Sequence, residues 1–387
     1  MVHRALVVLT LCALAATGCG TEDDDGGAGG AGGSGGSGGA GACVPLAGAP
    51  LDVPEATWTW VPIEGNRCRD GSETGIGVYR DPAATRLVIY LEGGGACFNQ
   101  LSCSTNPANY DETRLGTSFG GVLDPEDAAN PLAGSSFIYV PYCTGDVHAG
   151  SAESANVPRG PEGQAFVGHD NIARALERIV PTFGEVDQVV LTGISAGGFG
   201  TWLNYEQVSE AFCREDVVLL SDSGPTHPAP YLATCLQERW RGLWNLDETL
   251  PAGCTACTAD GGDVTGLADY LADTYADGRF GLISSTRDET ISLFFSFGAD
   301  ECANLDAGFP NTVAGAAAFA TGLAELVEVF LVPQENATAY VIDGTQHTWI
   351  RTSLYDTTVD ETALVDWVAA LVDGPIPTEV MPPPAEQ

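Results

Sequence analysis

Short apolar runs and helical patterns alternate along most of this chain, and this alternation restricts the folds it can form. Six runs rich in branched and aromatic residues predict strands at 87–91, 137–140, 189–191, 217–220, 281–284 and 339–342. Helical periodicity falls between or after them at 171–180, 199–212, 314–330 and 361–371. Runs that are apolar on both faces and separated by helices favour a mostly parallel sheet flanked by helices, an α/β fold.

This alternation also bounds the domain. No clear break interrupts it, so we expect one domain over residues 43–374. Residues 230–275 stand out within it, because they are rich in Cys and Trp and contain no obvious strand. We expect a lid or cap insertion there.

The first residues of the chain have the composition of an export signal. Arg4 precedes an apolar stretch, 5–16, that is too short to span a bilayer. Ala-Thr-Gly-Cys follows at 16–19 and is similar to a bacterial lipobox, which makes Cys19 the expected lipidation site. Plain secretion with cleavage nearby is the alternative. Both interpretations place the protein outside the cytoplasm, anchored to the cell envelope or surface in the first case.

Two segments at the ends of the domain have low complexity. Residues 20–42 combine an acidic cluster with a Gly-rich repeat that cannot bury apolar surface, which predicts a disordered tether. Residues 375–387 are Pro-rich and are expected to be an unstructured tail.

The charge and the cysteines of the chain exclude some functions. A net charge of −37, with every basic residue an Arg, opposes binding to nucleic acid or to anionic lipid surfaces. Membrane contact is therefore expected only through the lipid anchor. Ten Cys remain after the signal and Cys19, and an even number in an exported protein predicts disulfides, five if all pair. Cys254 and Cys257 have the spacing of half a zinc site, but no second pair accompanies them, so a metal is not expected.

The pattern Gly-x-Ser-x-Gly occurs four times, centred on Ser34, Ser37, Ser118 and Ser195. The first two matches lie in the Gly-rich segment, and the third follows a polar run. Only Ser195 lies between a predicted strand and a predicted helix, which is the context of the nucleophile elbow of α/β-hydrolases. We therefore expect Ser195 to be a nucleophile.

A serine nucleophile needs a base and an acid that orients the base. In α/β-hydrolases the chain order is Ser, acid, His, and His347, after the last predicted strand, fits that order. His227 is the outside candidate for the base. The acid is left open by spacing, since Asp222 and Asp288 each follow a predicted strand. Asp343 lies close to His347 in sequence, which does not suit the usual arrangement but does not exclude it.

Backbone N–H groups are expected to bind the oxyanion of the reaction. One comes from Ala196, the residue after the serine. Others come from the glycine loop at 93–95, which follows the first predicted strand, with Gly94 and Gly95 as candidates.

Several segments together resemble the pectin acetylesterase family, which includes plant pectin acetylesterases and the animal carboxylesterase Notum. They are Leu-Glu-Gly-Gly-Gly-Ala-Cys-Phe-Asn at 91–99, Val-Pro-Tyr-Cys-Thr-Gly-Asp at 140–146, Gly-Ile-Ser-Ala-Gly-Gly at 193–198 and Ser-Asp-Ser-Gly at 221–224. The resemblance implies an α/β-hydrolase-like serine esterase that needs no cofactor.

The same resemblance carries roles onto particular residues. It implies Ser195 as nucleophile, His347 as base, and Gly94, Gly95 and Ala196 as oxyanion donors. It favours Asp288 over Asp222 as the acid, through the segment 284–289. One departure is that many members have a Trp beside the glycines, where this chain has the small pair Gly95 and Ala96.

We therefore expect an exported serine carboxylic ester hydrolase that acts on O-acyl, chiefly O-acetyl, groups of a polysaccharide or other extracellular substrate. Two alternatives remain at this point. One is a non-catalytic binding protein on a hydrolase scaffold, and the other is a lipase or peptidase of the same fold.

Overall fold

The computed structural model describes residues 43–116, 119–259, 262–306 and 308–382. The predicted signal, Cys19 and the predicted tether at 20–42 lie outside these residues. The strands are β1 (Thr59–Arg67), β2 (Glu73–Tyr79), β3 (Arg86–Leu91), β4 (Ser136–Val140), β5 (Ala152–Ala155), β6 (Gln164–Phe166), β7 (Gln188–Ile194), β8 (Val218–Asp222), β9 (Arg279–Ser285), β10 (Ala337–Ile342), β11 (Thr358–Val359) and β12 (Thr362–Ala363).

Eight of these strands form one sheet in the order β1-β2-β4-β3-β7-β8-β9-β10. The six strands from β4 to β10 in this order are parallel, and β1 and β2 join one edge antiparallel. The predicted mostly parallel sheet is confirmed, and its six parallel strands are the six apolar runs. The edge strands β1 and β2 were missed, because Pro and Gly interrupt their apolar pattern.

Helices cover both faces of the sheet. They are α1 (Gln100–Thr105), α2 (Gly168–Phe183), α3 (Ala196–Phe212), α4 (Thr234–Trp244), α5 (Thr255–Thr258), α6 (Gly266–Thr274), α7 (Glu289–Phe295), α8 (Ala299–Cys302), α9 (Thr312–Glu325) and α10 (Leu364–Asp373), with a π-helical turn (Leu326–Leu331) after α9.

Alternate residues of the central strands enter two different cores. In β3, Leu87, Ile89 and Leu91 belong to the larger core, whereas Val88 and Tyr90 belong to the core on the opposite face. Successive side chains of a strand point to opposite faces, so a strand that is apolar throughout is buried on both. This explains why the parallel strands lack polar alternation in the sequence.

The Cys-rich segment 230–275 contains α4, α5 and α6. Five disulfides join the ten cysteines of the described residues: Cys43–Cys213, Cys68–Cys143, Cys97–Cys103, Cys235–Cys302 and Cys254–Cys257. The prediction of disulfides is confirmed, and the pair that could have been half a zinc site is bonded to itself. The bond from Cys235 ties α4 to α8.

The described part of the predicted tail is ordered, which corrects our expectation of an unstructured segment. Val380 lies beside β10, where its N–H donates to Ala339 and its carbonyl accepts from the N–H of Val341, both at 2.8 Å. The indole of Trp367 in α10 donates to the carbonyl of Thr378. The edge strand β10 thus gains backbone partners that composition does not predict.

No helix within the described residues has the length and apolar character needed to cross a membrane.

Candidate active site

Ser195 lies at a sharp turn between the central strand β7 and helix α3. Its backbone has φ 56° and ψ −120°, in a region that non-glycine residues rarely adopt. A Cβ on Gly193 would lie 2.5 Å from the carbonyl oxygen of Gly197, and one on Gly197 would lie 2.0 Å from that of Leu91. The glycines of the pentapeptide are therefore required by close backbone approach, and they present the serine at the carboxyl edge of the sheet.

His347 contacts a buried carboxylate. Its Nδ1 atom lies 2.7 Å from Oδ2 of Asp288, which is fully buried after β9. The other oxygen, Oδ1, accepts from the N–H groups of Thr290 and Ile291 and so caps α7. A carboxylate at Nδ1 places a proton there and leaves Nε2 as the acceptor. This imidazole is therefore oriented to take up a proton at Nε2.

Asp222 has a different position from Asp288. Its Oδ2 accepts from the N–H groups of Trp349 and Ile350, at 2.6 and 2.9 Å, and its Oδ1 accepts from Oγ of Ser223. Burial raises the pKa of Asp222 to about 6, against the opposing effect of the backbone N–H groups. The carboxylate of Asp222 therefore anchors the loop that carries His347 and makes no hydrogen bond to the imidazole itself.

Residues 222 and 223 connect the serine to the histidine loop. The N–H of Ser195 donates to the carbonyl of Asp222 at 2.8 Å, and the N–H of Thr348 donates to Oγ of Ser223 at 3.2 Å. Ser195 and the loop that carries His347 are thus both bonded to the residues at the end of β8. Asp343 lies apart from the imidazole contact, because its carboxylate pairs with Arg287 and Thr286.

The glycine loop lies against the serine. A Cβ on Gly93 would lie 2.9 Å from Cβ of Ser195, and Gly95 has φ +81°, which favours glycine. The structure brings this loop, with Gly94 and Gly95, to the same edge as Ala196, the first residue of α3. The N terminus of a 17-residue helix carries partial positive charge toward this point.

Side chains hold the carbonyl groups of the glycine loop. Nε2 of His148 bonds to the carbonyl of Glu92 at 2.8 Å, and the hydroxyl of Tyr142 donates to that of Gly95 at 2.9 Å. Nδ2 of Asn106 donates to the carbonyl of Gly94 at 2.8 Å. Burial lowers the pKa of His148 to about 4, which keeps this ring neutral.

Sequence reasoning did not identify these three side chains as part of the site. Tyr142 lies in one of the segments that resemble the family, which is a weak signal. His148 and Asn106 follow no motif, and only the tertiary fold brings them to the loop. His227, the outside candidate for the base, is buried between the rings of Phe295 and Phe319.

An apolar cavity opens beside Ser195. It encloses about 590 Å³ of empty space, including its open mouth. Phe294 closes one side, since its ring would lie 3.1 Å from a Cβ on Gly95. The apolar cavity is lined by Gly95, Ala96, Val147, Ser195, Ala196, Phe199, Leu203, Thr226, Trp240, Trp244, Leu246, Val264, Ile291, Phe294 and Phe295. The segment 230–275 supplies four of these residues and so forms one wall.

No three His, Cys, Asp or Glu side chains come together as metal ligands in residues 43–116, 119–259, 262–306 and 308–382.

The parallel sheet, the serine elbow and the loops around it are those of an α/β-hydrolase-like protein. The sequence model of the Pectinacetylesterase family matches residues 57–264. The chain therefore belongs to the pectinacetylesterase family.

Individual relatives agree with this assignment. The chain is similar to palmitoleoyl-protein carboxylesterase notum2 of Xenopus laevis, with 31% identity over 153 residues, which are 37% of this chain and 30% of that protein. It is similar to palmitoleoyl-protein carboxylesterase Notum of Drosophila melanogaster, with 27% identity over 210 residues, 49% of this chain and 31% of that protein. The matched parts thus span about a third of each relative's length.

The fold also matches a solved structure. The structure of the Wnt deacylase Notum from Drosophila superposes with a TM-score of 0.62 and 20% identity, covering 81% of this chain and 93% of that one. At this identity the match supports the shared fold.

Proposed function

We propose that this protein is a serine carboxylic ester hydrolase with Ser195, His347 and Asp288 as its catalytic triad. The observation that carries the proposal is the hydrogen bond from His347 to the buried carboxylate of Asp288, at the sheet edge where the elbow presents Ser195. This arrangement supplies a nucleophile, a base whose Nε2 atom has no hydrogen-bond partner within the described residues, and an acid that orients the base.

The proposed reaction has two halves. Oγ of Ser195 attacks the acyl carbonyl while Nε2 of His347 takes its proton, and the tetrahedral intermediate collapses as His347 returns that proton to the departing alcohol. Water then attacks the acyl-enzyme with His347 again as base, which releases the acid and restores the serine. Asp288 stabilises the imidazolium in both halves. The proposed mechanism uses no cofactor or metal.

We assign the oxyanion site to the backbone N–H groups of Gly94, Gly95 and Ala196. Among the described residues, none of these N–H groups donates to another protein group. Each is therefore available to a developing negative charge, and each such donor typically lowers the barrier by about 3 kcal/mol.

The apolar cavity is the proposed site of the acyl group. Aromatic and aliphatic side chains surround it, and a binding site of this character gains free energy from each buried methylene, about 0.8 kcal/mol per CH₂. This favours acyl chains longer than acetyl. The relatives named palmitoleoyl-protein carboxylesterases are consistent with a long acyl group.

A second candidate is the acetylesterase expected from the sequence, acting on O-acetyl groups of a polysaccharide. The matched family's name, Pectinacetylesterase, favours it. The two candidates share one triad and differ only in the acyl group.

A series of p-nitrophenyl esters from two to sixteen carbons tests both proposals. We expect hydrolysis by the wild type and its loss in Ser195→Ala, with circular dichroism of both proteins as the folding control. A maximum of kcat/KM at six carbons or more supports the apolar cavity as an acyl site, and a maximum at acetyl supports the acetylesterase. If folded wild-type protein hydrolyses no ester or peptide substrate, a non-catalytic binding protein becomes the better interpretation. Cleavage of peptides with no activity on esters would favour a peptidase.

We also propose export and lipid anchoring. Five disulfides are typical of a protein that folds outside the cytoplasm. Lipidation of Cys19 is tested by Cys19→Ser in the full chain, which is expected to move the protein from the membrane fraction to the soluble fraction. An unchanged distribution would contradict the anchor.

A further inference from the structure

A buried cation lies behind the glycine loop. Arg69 is 6% exposed, and within the described residues no carboxylate forms a salt bridge with it. Its guanidinium donates instead to neutral acceptors, the side chain of Gln164 and the carbonyls of Cys103 and Asn106. A charge outside any ion pair is costly to bury and an arginine stays protonated there, while the carboxylate of the neighbouring Asp70 acts on it only through space. In a chain of net charge −37, this unpaired cation is unexpected.

The same guanidinium begins a chain of hydrogen bonds that reaches the loop. Nε of Arg69 donates to Oδ1 of Asn106 at 3.0 Å, and Nδ2 of Asn106 donates to the carbonyl of Gly94 at 2.8 Å. The arginine has no acceptor atom, so its contact determines which end of the Asn106 amide faces the loop. Asn106 is 5% exposed, so the path is buried up to its end at Gly94, which is partly exposed.

The peptide between Gly94 and Gly95 transmits this contact to the site. It is trans, so its N–H points opposite to its carbonyl and therefore away from Asn106. Gly95, which carries that N–H, lines the apolar cavity together with Ser195 and Ala196. A donor that pulls on the carbonyl also makes the N–H on the other side of the peptide a stronger donor, because hydrogen bonds in a chain polarise one another.

We propose that Arg69 and Asn106 are positioning residues that aim and polarise the N–H of Gly95 toward the oxyanion. This inference rests on the proposed ester hydrolysis and extends it to two residues that lie outside the triad and the oxyanion donors. Tyr142 acts in the same way on the next peptide, because its hydroxyl holds the carbonyl of Gly95.

The disulfide Cys68–Cys143 secures this arrangement. Arg69 follows Cys68 directly, and its own N–H donates to the carbonyl of Cys143 at 2.9 Å. The guanidinium therefore starts from a backbone position that is crosslinked to the segment following β4, and β4 pairs with β3, the strand that leads into the glycine loop.

The test is Asn106→Asp, which keeps an acceptor for Arg69 but removes the donor to Gly94 and neutralises the cation. We expect kcat for a p-nitrophenyl ester to fall about 10- to 100-fold with KM within about threefold, because the lost interaction acts on the oxyanion. The inhibition constant of an alkyl boronic acid, which forms a tetrahedral adduct with the serine, should rise by a similar factor.

The matched control is Asn130→Asp. Asn130 is also buried, and its Nδ2 donates to the backbone carbonyls of Val122 and Asp124, which have no part in the glycine loop. We expect this control to lose thermal stability and to keep its kcat. If Asn106→Asp does not fold, Asn106→Ala removes the same donor without adding charge and carries the same expectation.

The outcomes separate the inference from the esterase itself. A wild type with no activity above Ser195→Ala overturns the proposed function and the inference together. The inference alone is overturned if the wild type is active and a folded Asn106 variant keeps kcat within threefold of the wild-type value. It is also overturned if the Asn106 variant and the Asn130 control show the same changes in kcat and KM.

Discussion

The Nδ1 atom of His347 lies 2.7 Å from Oδ2 of Asp288, whereas the carboxylate of Asp222 accepts from the backbone at residues 349 and 350. Two aspartates that spacing could not separate thus have different partners. One contacts the imidazole, and the other holds the loop on which the imidazole is carried.

This difference predicts different effects of Asp288→Asn and Asp222→Asn. Asn can still cap α7 at position 288, so that variant should stay folded while kcat falls by about 10³- to 10⁴-fold, because the tautomer of His347 is no longer set. At position 222 we expect a loss of about 1–3 kcal/mol in the free energy of unfolding, with kcat within about tenfold. Urea unfolding and ester kinetics measure both. A larger loss of kcat at 222 than at 288, in proteins folded to the same extent, contradicts the assignment.

Val264→Phe adds volume to the wall of the apolar cavity that the segment 230–275 supplies. The side chain of Val264 is 7% exposed and lines the cavity. We expect the ratio of kcat/KM for an eight-carbon ester to that for the acetyl ester to fall at least tenfold. Overpacking should also lower the free energy of unfolding by about 1–3 kcal/mol. Val313→Phe, at a residue 82% exposed at the start of α9, is the matched control and should leave the ratio unchanged. An unchanged ratio in Val264→Phe would place the acyl group elsewhere.

His227 predicts an acid sensitivity of the folded state. Neither ring nitrogen of His227 has a hydrogen-bond partner among the described residues, and burial lowers its pKa to about 3. The unfolded chain binds a proton at His227 as the pH falls through about 6.5, whereas the folded chain binds it only near pH 3. The free energy of unfolding is therefore undiminished at neutral pH and falls as the pH drops from about 6.5 toward 3. Between pH 7 and pH 5 the loss is about 2 kcal/mol.

Replacing this histidine tests the prediction. His227→Leu removes two unpaired polar atoms, so we expect the free energy of unfolding at pH 7 to rise by about 1 kcal/mol and its decrease on acidification to pH 5 to shrink by about 2 kcal/mol. Phe319→Leu, in the same cluster, should lower stability equally at both pH values. The idea fails if His227→Leu keeps the pH dependence of the wild type.

The disulfides should differ in what their removal costs. Cys235 and Cys302 are 67 residues apart in sequence, and Cys254 and Cys257 are 3 apart. On a chain-entropy argument, the double Cys→Ser variant of the first pair loses about 4 kcal/mol of the free energy of unfolding. The double variant of the second pair loses about 2 kcal/mol. Thermal unfolding of the two double variants measures the difference. Equal losses would show that loop length does not govern these bonds.

The sequence alone determined the parallel sheet and the position of the serine elbow. Strands buried on both faces must be apolar throughout, so six of them were visible as uninterrupted runs. The elbow at Ser195 was visible because close backbone approach requires its glycines, and a steric requirement of this kind leaves a local pattern. The edge strands β1 and β2 were not visible, since the pairing of β1 with β2 and of β2 with β4 compensates for an irregular pattern.

Only the tertiary structure decided which aspartate meets His347, what surrounds Ser195 and what lies behind the glycine loop. Asp222 ends β8 and Asp288 follows β9, and both lie between Ser195 and His347 in the chain, so chain order allows either pairing and only the side-chain contacts differ. Arg69 and Asn106 belong to no sequence motif. Their hydrogen bond joins residues 37 apart, so it depends on how the loops fold and not on neighbours in sequence. Local patterns record steric and burial requirements, whereas the orientation of one polar group by another is a property of the folded chain.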